Sequence, residues 1–374
     1  MDFYDFIDYV KENILDFMPS SYENADVGVQ EVTKNNGLVL HGLTIRTGES
    51  NIVPTLYLDD IFKGYESGDS LDQVMIRIAD SYVEADTQKD IDASFITDFE
   101  SVKSHIVPHL VNREENAEKL MGVPYKMVND LAAIFYIDVG RNGDGVMQAC
   151  ITNDLMDMYG VDANELYDIS VKNLNTISVP SFRGMSEVIS QDFGMDVPTP
   201  DEEQMYVITN GDKVNGSAQM LNEHLMDQAS ARIGGDFYII PSSIHEVLAV
   251  PVGRMEVDEL EAMVRDVNST QVAKEDKLSD TVYAFDSVNR EVIIGRDLTS
   301  VEDRELALME KVNDAICNLE KGFSMDSSKP YVDLGKEAVK LKTELDPKLF
   351  ENFKRMAKKH GIVLEKKQKE RVER

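Results

Sequence analysis

The first part of the chain combines one helical and two extended hydrophobic patterns. Apolar residues recur at every third or fourth position over residues 3–17, as on one face of a helix, and Pro19 ends that pattern. Residues 27–32 and 38–45 largely alternate between apolar and polar, and the Asn35-Asn36-Gly37 sequence between them is typical of a hairpin turn. We therefore predict a helix followed by two antiparallel strands.

One more strand and two helices complete this region. Residues 52–58 form a short apolar run and predict a third strand. Capping-box spacings begin at Ser70 and at Thr97, and each predicts the start of a helix, the second of which would end at Pro108. Together these elements predict a compact N-terminal α+β unit at residues 1–118.

A second α+β unit is predicted at residues 119–297. Its first element is a hairpin, because the apolar runs 131–139 and 146–152 flank a glycine-rich loop. Strands joined by hairpins indicate antiparallel or mixed sheets, since only strict alternation of strands and helices requires a parallel sheet. The remaining patterns predict helices at 153–159, 162–174, 182–193, 215–234 and from 258, and strands at 205–209, 237–240, 247–252, 282–285 and 292–294.

Residues 298–374 are predicted to form a helical appendage. Helical patterns cover residues 301–319 and 334–345, and a last helix has Pro347 in its first turn and Gly361 after its end. The predicted fold is therefore α+β, with two compact units and a C-terminal helical appendage.

Charge is distributed unevenly along the 374 residues. The whole chain carries a net charge of −31, but residues 1–328 carry −37 and residues 329–374 carry +6. Such a field repels nucleic acid and anionic membranes from the body and favours basic protein partners. Nucleic acid is therefore expected at the basic tail if it binds at all.

The remaining composition indicates a soluble, cytoplasmic protein. The longest uninterrupted apolar run, 131–137, is far shorter than the ~20 residues that span a bilayer. Cys150 and Cys317 are the only cysteines and show no metal-binding spacing, so we expect neither a disulfide framework nor a zinc site. We expect no cofactor.

Four separate runs carry a resemblance to a protein family. Residues 36–46, 93–112, 203–210 and above all 234–248 resemble, in order, an uncharacterised domain-of-unknown-function family of anaerobic gut Firmicutes. The resemblance covers roughly residues 1–295. It implies no catalytic residue, cofactor or substrate, although members of the family often lie near mobile elements.

The densest polar cluster beside an apolar strand is the Pro241–Glu246 segment. Ser242, Ser243, His245 and Glu246 supply the residue types of a hydrolytic triad, but triads are assembled from separate segments and the chain has no G-x-S-x-G elbow. A serine-capped turn between two strands explains the same residues, and we favour that interpretation.

Two weaker patterns suggest metal ligands. His105 and His109 have the four-residue spacing of helical ligands, but Pro108 interrupts any helix that would align them. Asp59 and Asp60 follow a predicted strand, where carboxylates more often cap the next helix. Neither pattern predicts a metal site.

The last predicted helix has one apolar and one basic face. Lys354, Arg355, Lys358 and Lys359 lie largely off an apolar stripe that starts at Leu349. We expect the helix to dock on the acidic body through its apolar face, and the four cations are the candidate partner-binding residues.

These observations favour a non-enzymatic binding or adaptor protein, because no group of residues requires catalytic chemistry. Two alternatives stay open. One is a hydrolase centred on the Pro241–Glu246 segment, and the other is an acidic decoy that occupies a nucleic-acid-binding protein.

Overall fold

The computed structural model describes residues 1–48, 53–86, 93–142, 145–192, 194–195 and 205–300, and beyond them residues 303–304, 306–307, 310–311, 314, 354–355 and 358–359. The fold is α+β, as the sequence predicts, and every strand pair in the described residues is antiparallel. None of the described helices is long and apolar enough to span a membrane.

The N-terminal part packs three helices on a three-stranded sheet of order β1-β2-β3. Tyr82, which is fully buried, joins the two layers because its hydroxyl bonds both the N–H and the carbonyl of Ile45. The Ser70 and Gln73 side chains form the predicted capping box at the third helix. The elements are α1 (Phe3–Asn13), β1 (Asp26–Thr33), β2 (Val39–Arg46), β3 (Leu56–Tyr57), α2 (Leu58–Glu66) and α3 (Leu71–Asp86).

A second sheet is built around one long strand, β6 (Leu131–Asn142). Strand β4 pairs with one edge of β6, whereas β5 and β7 pair one after the other along its opposite edge. The remaining elements of this layer are α4 (Ala93–Thr97), α5 (Phe99–Val102), β4 (Ile106–Asn112), α6 (Ala117–Leu120), β5 (Tyr125–Val128), β7 (Gly145–Cys150), α7 (Asn153–Tyr159) and α8 (Ala163–Asn173).

The third sheet has six strands in the order β13-β12-β10-β11-β9-β8. Alternate residues of its strands enter different cores: Phe237 and Ile239 pack with α10, whereas Ile240 packs with Leu260 and Val264 of α11 on the other face. The elements are β8 (Pro180–Gly184), α9 (Met185–Asp192), β9 (Tyr206–Asn210), α10 (Glu223–Ile233), β10 (Phe237–Ile240), β11 (Val247–Pro251), α11 (Val257–Thr270), β12 (Tyr283–Asp286) and β13 (Glu291–Ile294).

The second and third sheets share a hydrophobic core. Leu110, Leu131 and Ala133 of the second sheet lie in the same buried cluster as Phe237 and Ile239 of the third. Strand β4 lies before the predicted boundary at residue 118 yet pairs with β6 after it. The division into two units stays a prediction. The second sheet contains strands from before and after residue 118.

Several predicted elements have the wrong type or length. The helix predicted to run from Thr97 to Pro108 stops at His105, and Pro108 lies inside the edge strand β4, where its missing N–H is tolerated. Residues 182–184 belong to β8, so the helix predicted from 182 starts at Met185. The third strand, β3, covers only two residues before α2 begins.

The predicted long helix at 215–234 is divided. A 3₁₀ helix, Gly216–Leu221, precedes α10, and the Asn222 side chain accepts the Leu225 N–H to cap the second helix. Helix α10 ends at Gly234 in the left-handed conformation, as predicted.

The start of the C-terminal appendage is anchored to the third sheet. Ser300 caps a turn of helix by accepting the Asp303 N–H, which places Arg304 against the body. The buried Arg304 guanidinium forms ion pairs with the buried carboxylates of Asp236 and Asp286. All described residues from 303 onward are helical.

Candidate functional site

The Pro241–Glu246 segment is a turn between β10 and β11 whose polar groups bond to neighbouring backbone and side chains. The Ser243 hydroxyl accepts the His245 backbone N–H at 3.0 Å. The Asn215 N–H donates to His245 Nδ1 at 3.2 Å, so the proton of the neutral ring lies on Nε2, 3.2 Å from Asp276 Oδ1. Both ring nitrogens therefore have partners, and neither of them bonds to a serine hydroxyl.

Backbone contacts fix the rest of this turn. The Ser242 N–H donates to the carbonyl of Ile240 at 2.9 Å, and the Ser243 N–H donates to that of Glu246 at 3.1 Å. The Thr209 hydroxyl donates to the His245 carbonyl at 2.7 Å. This geometry is that of a serine-capped turn and lacks the serine–imidazole contact of a triad. Hydrolase activity stays an untested prediction.

The tip of the β1–β2 hairpin forms a polar latch between distant parts of the chain. Asn36 has a left-handed backbone (φ 56°) and is 4 % exposed. Its amide donates to the carbonyls of Lys274 and Lys277 at 2.7 and 2.8 Å, and its Oδ1 accepts from Asn116 at 2.9 Å. Asn35 adds a bond to the Glu275 carbonyl at 2.7 Å. The sequence identifies this segment only as a turn, and nothing local reveals its distant partners.

A cleft of about 800 Å³ opens where the latch meets the second and third sheets. Its walls come from the latch, the β4–α6 connection, the β5–β6 turn and the chain from α11 to β12. Ligand sites often occupy such junctions. The lining residues are Asn36, Asn112, Arg113, Glu114, Glu115, Met127, Asn129, Asp130, Arg265, Asn268, Ser269, Lys274, Lys277, Leu278, Ser279, Asp280 and Thr281.

Three cations of the cleft have no partner among the described residues. The side chains of Arg113, Lys274 and Lys277 form neither a hydrogen bond nor an ion pair there. The carboxylate of Asp130, in contrast, accepts the hydroxyls of Thr281 at 2.7 Å and Tyr283 at 2.6 Å. The cleft therefore offers three cations without a bonded partner, next to the carboxylates of Glu114 and Glu115, which have no partner among the described residues either.

The side-chain amides of the cleft also keep unused hydrogen-bonding capacity. Asn129 and Asn268 donate through Nδ2 to the carbonyls of Val292 and Ser279, and their Oδ1 atoms have no partner in the described residues. The lining contains no aromatic side chain. The site is thus suited to polar ligands and offers no ring for stacking a base or a sugar.

The two patterns that were weighed as metal ligands, His105 with His109 and Asp59 with Asp60, form ordinary structural contacts in the described residues. His105 ends a 3₁₀ helix, whereas His109 lies in β4 and stacks on Tyr136 with ring centroids 4.1 Å apart. Asp59 accepts the backbone N–H of His41 at 2.7 Å and also contacts its ring. Within the described residues no group of three potential ligands is placed to hold a metal ion.

Residues 3–287 match the model of a family of unknown function, DUF5688. The chain belongs to this family. No curated protein and no solved structure matches the chain. The resemblance inferred from the sequence is thereby confirmed at the level of the family. The DUF5688 region contains every residue that lines the cleft and ends before Arg304.

The candidate tail residues lie outside the DUF5688 region. Lys354 is half-buried, and Arg355, Lys358 and Lys359 are exposed on helical backbone. Leu349 and Phe353, which belong to the predicted apolar stripe, lie outside the described residues. Docking of the last helix on the body therefore stays a prediction.

Proposed function

We propose that this protein is a non-enzymatic adaptor that holds an extended, polar segment of a partner protein in the junction cleft. The observation that carries the proposal is that three cations of one cleft in the DUF5688 region, Arg113, Lys274 and Lys277, have no partner among the described residues. Cations without a partner add little to the stability of the fold, and they remain available to bind a ligand.

The chemistry of the lining favours a polypeptide over a nucleotide or an apolar cofactor. Amide oxygens such as those of Asn129 and Asn268 match the N–H groups of an extended backbone. The lining carries both signs of charge and so complements a segment with mixed side chains. A nucleotide would find no aromatic face, and an apolar cofactor would find few apolar walls.

The overall field favours a partner that is basic outside this segment. Residues 1–328 carry a net charge of −37, which accelerates association with a cationic protein and excludes free nucleic acid from the body. Acidic side chains of the bound segment would then pair with Arg113, Lys274 and Lys277 at short range.

Selection from a random peptide library tests this proposal. The immobilised full chain is used for selection, and an enriched peptide is titrated by fluorescence anisotropy. We expect the double substitution Arg113→Glu and Lys277→Glu to weaken binding by about tenfold or more, which corresponds to ~1.4 kcal/mol. Lys172→Glu, on an exposed helical face, is the matched control and should bind like the wild type.

Two results would contradict the proposal. One is the absence of any enriched peptide, and the other is binding that is unchanged by the double substitution. Turnover by the purified chain that is lost in Ser243→Ala and His245→Ala would instead support the hydrolase alternative. The decoy alternative would be supported if a basic, nucleic-acid-binding protein is captured in a salt-sensitive way and the cleft substitutions do not reduce that capture.

A further inference from the structure

The carboxylates of Asp236 and Asp286 form a buried acidic pair at one end of the third sheet. Asp236 lies directly before β10 and Asp286 ends β12, and these two strands are paired with Phe237 opposite Phe285. The side chains of Asp236 and Asp286 are only 9 % and 3 % exposed. Buried charges are stable only when an opposite charge lies beside them. The pair therefore requires a cation.

Five hydrogen bonds position the two carboxylates independently of that cation. Asp236 Oδ1 accepts the backbone N–H of Ser287 at 2.8 Å and its hydroxyl at 2.6 Å. Asp286 Oδ1 accepts the backbone N–H groups of Val288 and Asn289, both at 2.9 Å, and Asp286 Oδ2 accepts the Asn289 amide at 2.8 Å. All these donors belong to the turn that directly follows β12. The acidic pair is thus preorganised by the sheet and its turn.

The guanidinium of Arg304 fills this acidic pair with its terminal nitrogens. The Arg304 side chain is 8 % exposed, its Nη2 contacts Asp236 Oδ2, and its Nη1 lies 2.7 Å from Asp286 Oδ1. Its Nε is buried without a hydrogen-bond partner in the described residues. The site therefore recognises the end of the guanidinium and makes no bond to the rest of the side chain. A planar fork of two N–H donors suits two carboxylates better than the single ammonium of a lysine.

The acidic pair and its occupant come from different parts of the chain. Both carboxylates lie in the DUF5688 region, which ends at residue 287, whereas Arg304 belongs to the C-terminal appendage. A turn of helix presents Arg304 to the body, and Ser300 caps this turn by accepting the Asp303 N–H at 3.1 Å and donating to its carboxylate at 2.8 Å. Ser300 and Asp303 are exposed. The site therefore belongs to the body, but the cation that fills it is attached through an exposed turn.

We propose that the Asp236–Asp286 pair is a binding site for an arginine side chain of a basic partner protein, and that Arg304 occupies this site until the partner displaces it. Residues 1–328 carry a net charge of −37, which favours a basic partner over a second copy of the same acidic chain. The site lies at the opposite end of β12 from Leu278–Thr281, which line the junction cleft. The inference goes beyond the adaptor function and does not depend on peptide binding in the cleft.

Chemical rescue of Arg304→Ala tests whether the site accepts a guanidinium from outside. Thermal unfolding of the full chain is followed by circular dichroism in about 20 mM methylguanidinium chloride, with methylammonium chloride as the control of equal charge. We expect methylguanidinium to raise the unfolding midpoint of Arg304→Ala by at least about 2 °C more than methylammonium does, because it binds only the folded state. The two salts should act equally on the wild type, whose site is filled.

Labelled tetra-arginine and tetra-lysine peptides test recognition of a partner's side chain. The acidic body attracts both peptides equally, so the ratio of their affinities in fluorescence anisotropy reports recognition of the guanidinium. We expect Arg304→Ala to prefer tetra-arginine by about tenfold, and the wild type to prefer it by less than about twofold. Ser300→Ala keeps Arg304 but loosens its turn, so its preference should lie between these values. Ser70→Ala removes an exposed cap far from the site and should match the wild type.

Ser300→Ala keeps the inference testable if Arg304→Ala does not fold, because Ser300 is exposed and the ion pairs of Arg304 remain in this variant. Equal effects of the two salts on folded Arg304→Ala would overturn the inference. So would one and the same peptide preference in the wild type, Ser300→Ala and Arg304→Ala. A wild-type dimer in size exclusion that dissociates in Arg304→Ala would show that a second copy supplies the arginine, and the assignment to a basic partner would be wrong.

Discussion

The Pro241–Glu246 turn and the junction cleft are both polar, but their polar groups are used in opposite ways. In the turn, the hydroxyl of Ser243 and both ring nitrogens of His245 already have partners. In the cleft, the cations of Arg113, Lys274 and Lys277 have none in the described part of the chain. Residue types alone favour the turn as a site, whereas the hydrogen-bonding geometry favours the cleft.

The comparison separates groups that stabilise the fold from groups that remain available for a ligand. A buried polar group with all its partners costs free energy when it is removed. An exposed group without a partner costs little in stability, and its loss is felt only when a ligand is present. The loss of stability should therefore be largest where a buried charge loses its ion pair and smallest at an exposed group without a partner.

The largest effect is expected at Arg304. Replacement by alanine leaves the buried carboxylates of Asp236 and Asp286 without their cation, and we expect the free energy of unfolding to fall by about 3–5 kcal/mol. Urea denaturation measures the change. Arg77→Ala, which removes an exposed ion pair to Asp69, is the control and should cost less than ~1 kcal/mol. Equal losses would show that burial does not distinguish the two pairs.

The latch should give the next largest effect. Asn36→Ala removes three side-chain hydrogen bonds and forces alanine into a left-handed backbone, so we expect a loss of about 2–3 kcal/mol. Asn35→Ala removes a single bond and should cost about 1 kcal/mol. Chemical denaturation gives both values. A negligible loss in Asn36→Ala would mean that the cleft wall is held by other contacts.

A pH-dependent loss is expected at His109. Burial and the Lys119 ammonium lower the pKa of His109 to about 3, from 6.5 in the unfolded chain. Below pH 6.5 the unfolded state therefore binds a proton that the folded state excludes, and the free energy of unfolding falls as the pH is lowered toward 3.

The magnitude should approach about 1 kcal/mol per pH unit across that window. His109→Phe keeps a ring against Tyr136 and removes the titrating group, so the variant should show a shallower decline than the wild type. Urea denaturation at a series of pH values compares the two slopes. Parallel profiles would rule out a neutral, buried His109 as their cause.

Local patterns predict much of the fold because most elements have local causes. The β6–β7 hairpin, the capping box at Ser70 and the left-handed Gly234 follow from residues within a few positions of one another. The helix predicted through His105 to Pro108 is wrong because β4 is stabilised by pairing with β6, 19 to 31 residues away in sequence. Tertiary pairing outweighed the local signal.

The candidate site depends almost entirely on such distant contacts. Asn36 meets Lys274 and Lys277 across nearly the whole folded region, and no periodicity or motif links these positions. The hydroxyls on Asp130 likewise come from β12 and the chain before it. The turn itself was accessible from the sequence because Ser243 bonds to His245 and Glu246, which are its neighbours. The partners of the His245 ring, Asn215 and Asp276, are 30 and 31 residues away and were not.

His245→Ala should affect stability modestly and leave binding in the cleft unchanged. The substitution removes the acceptor of the Asn215 N–H and the contact with Asp276, and we expect a loss of about 1 kcal/mol. Denaturation measures this loss, and anisotropy with a library-selected peptide measures binding. His224→Ala, on an exposed helical position, is the control. If His245→Ala weakens peptide binding, the turn belongs to the functional site, and the contrast between the turn and the junction cleft is wrong.

The substitution Lys277→Ala should have the smallest effect on stability and, at the same time, a clear effect on binding. Its ammonium has no partner in the described residues, so Lys277→Ala should change the free energy of unfolding by less than ~0.5 kcal/mol. The same change should weaken a selected acidic peptide by about tenfold, because a charge-assisted contact to the ligand is lost. Lys172→Ala should change neither quantity. A loss of more than ~1 kcal/mol on Lys277→Ala would show that its ammonium supports the fold, and the cleft would then resemble the turn.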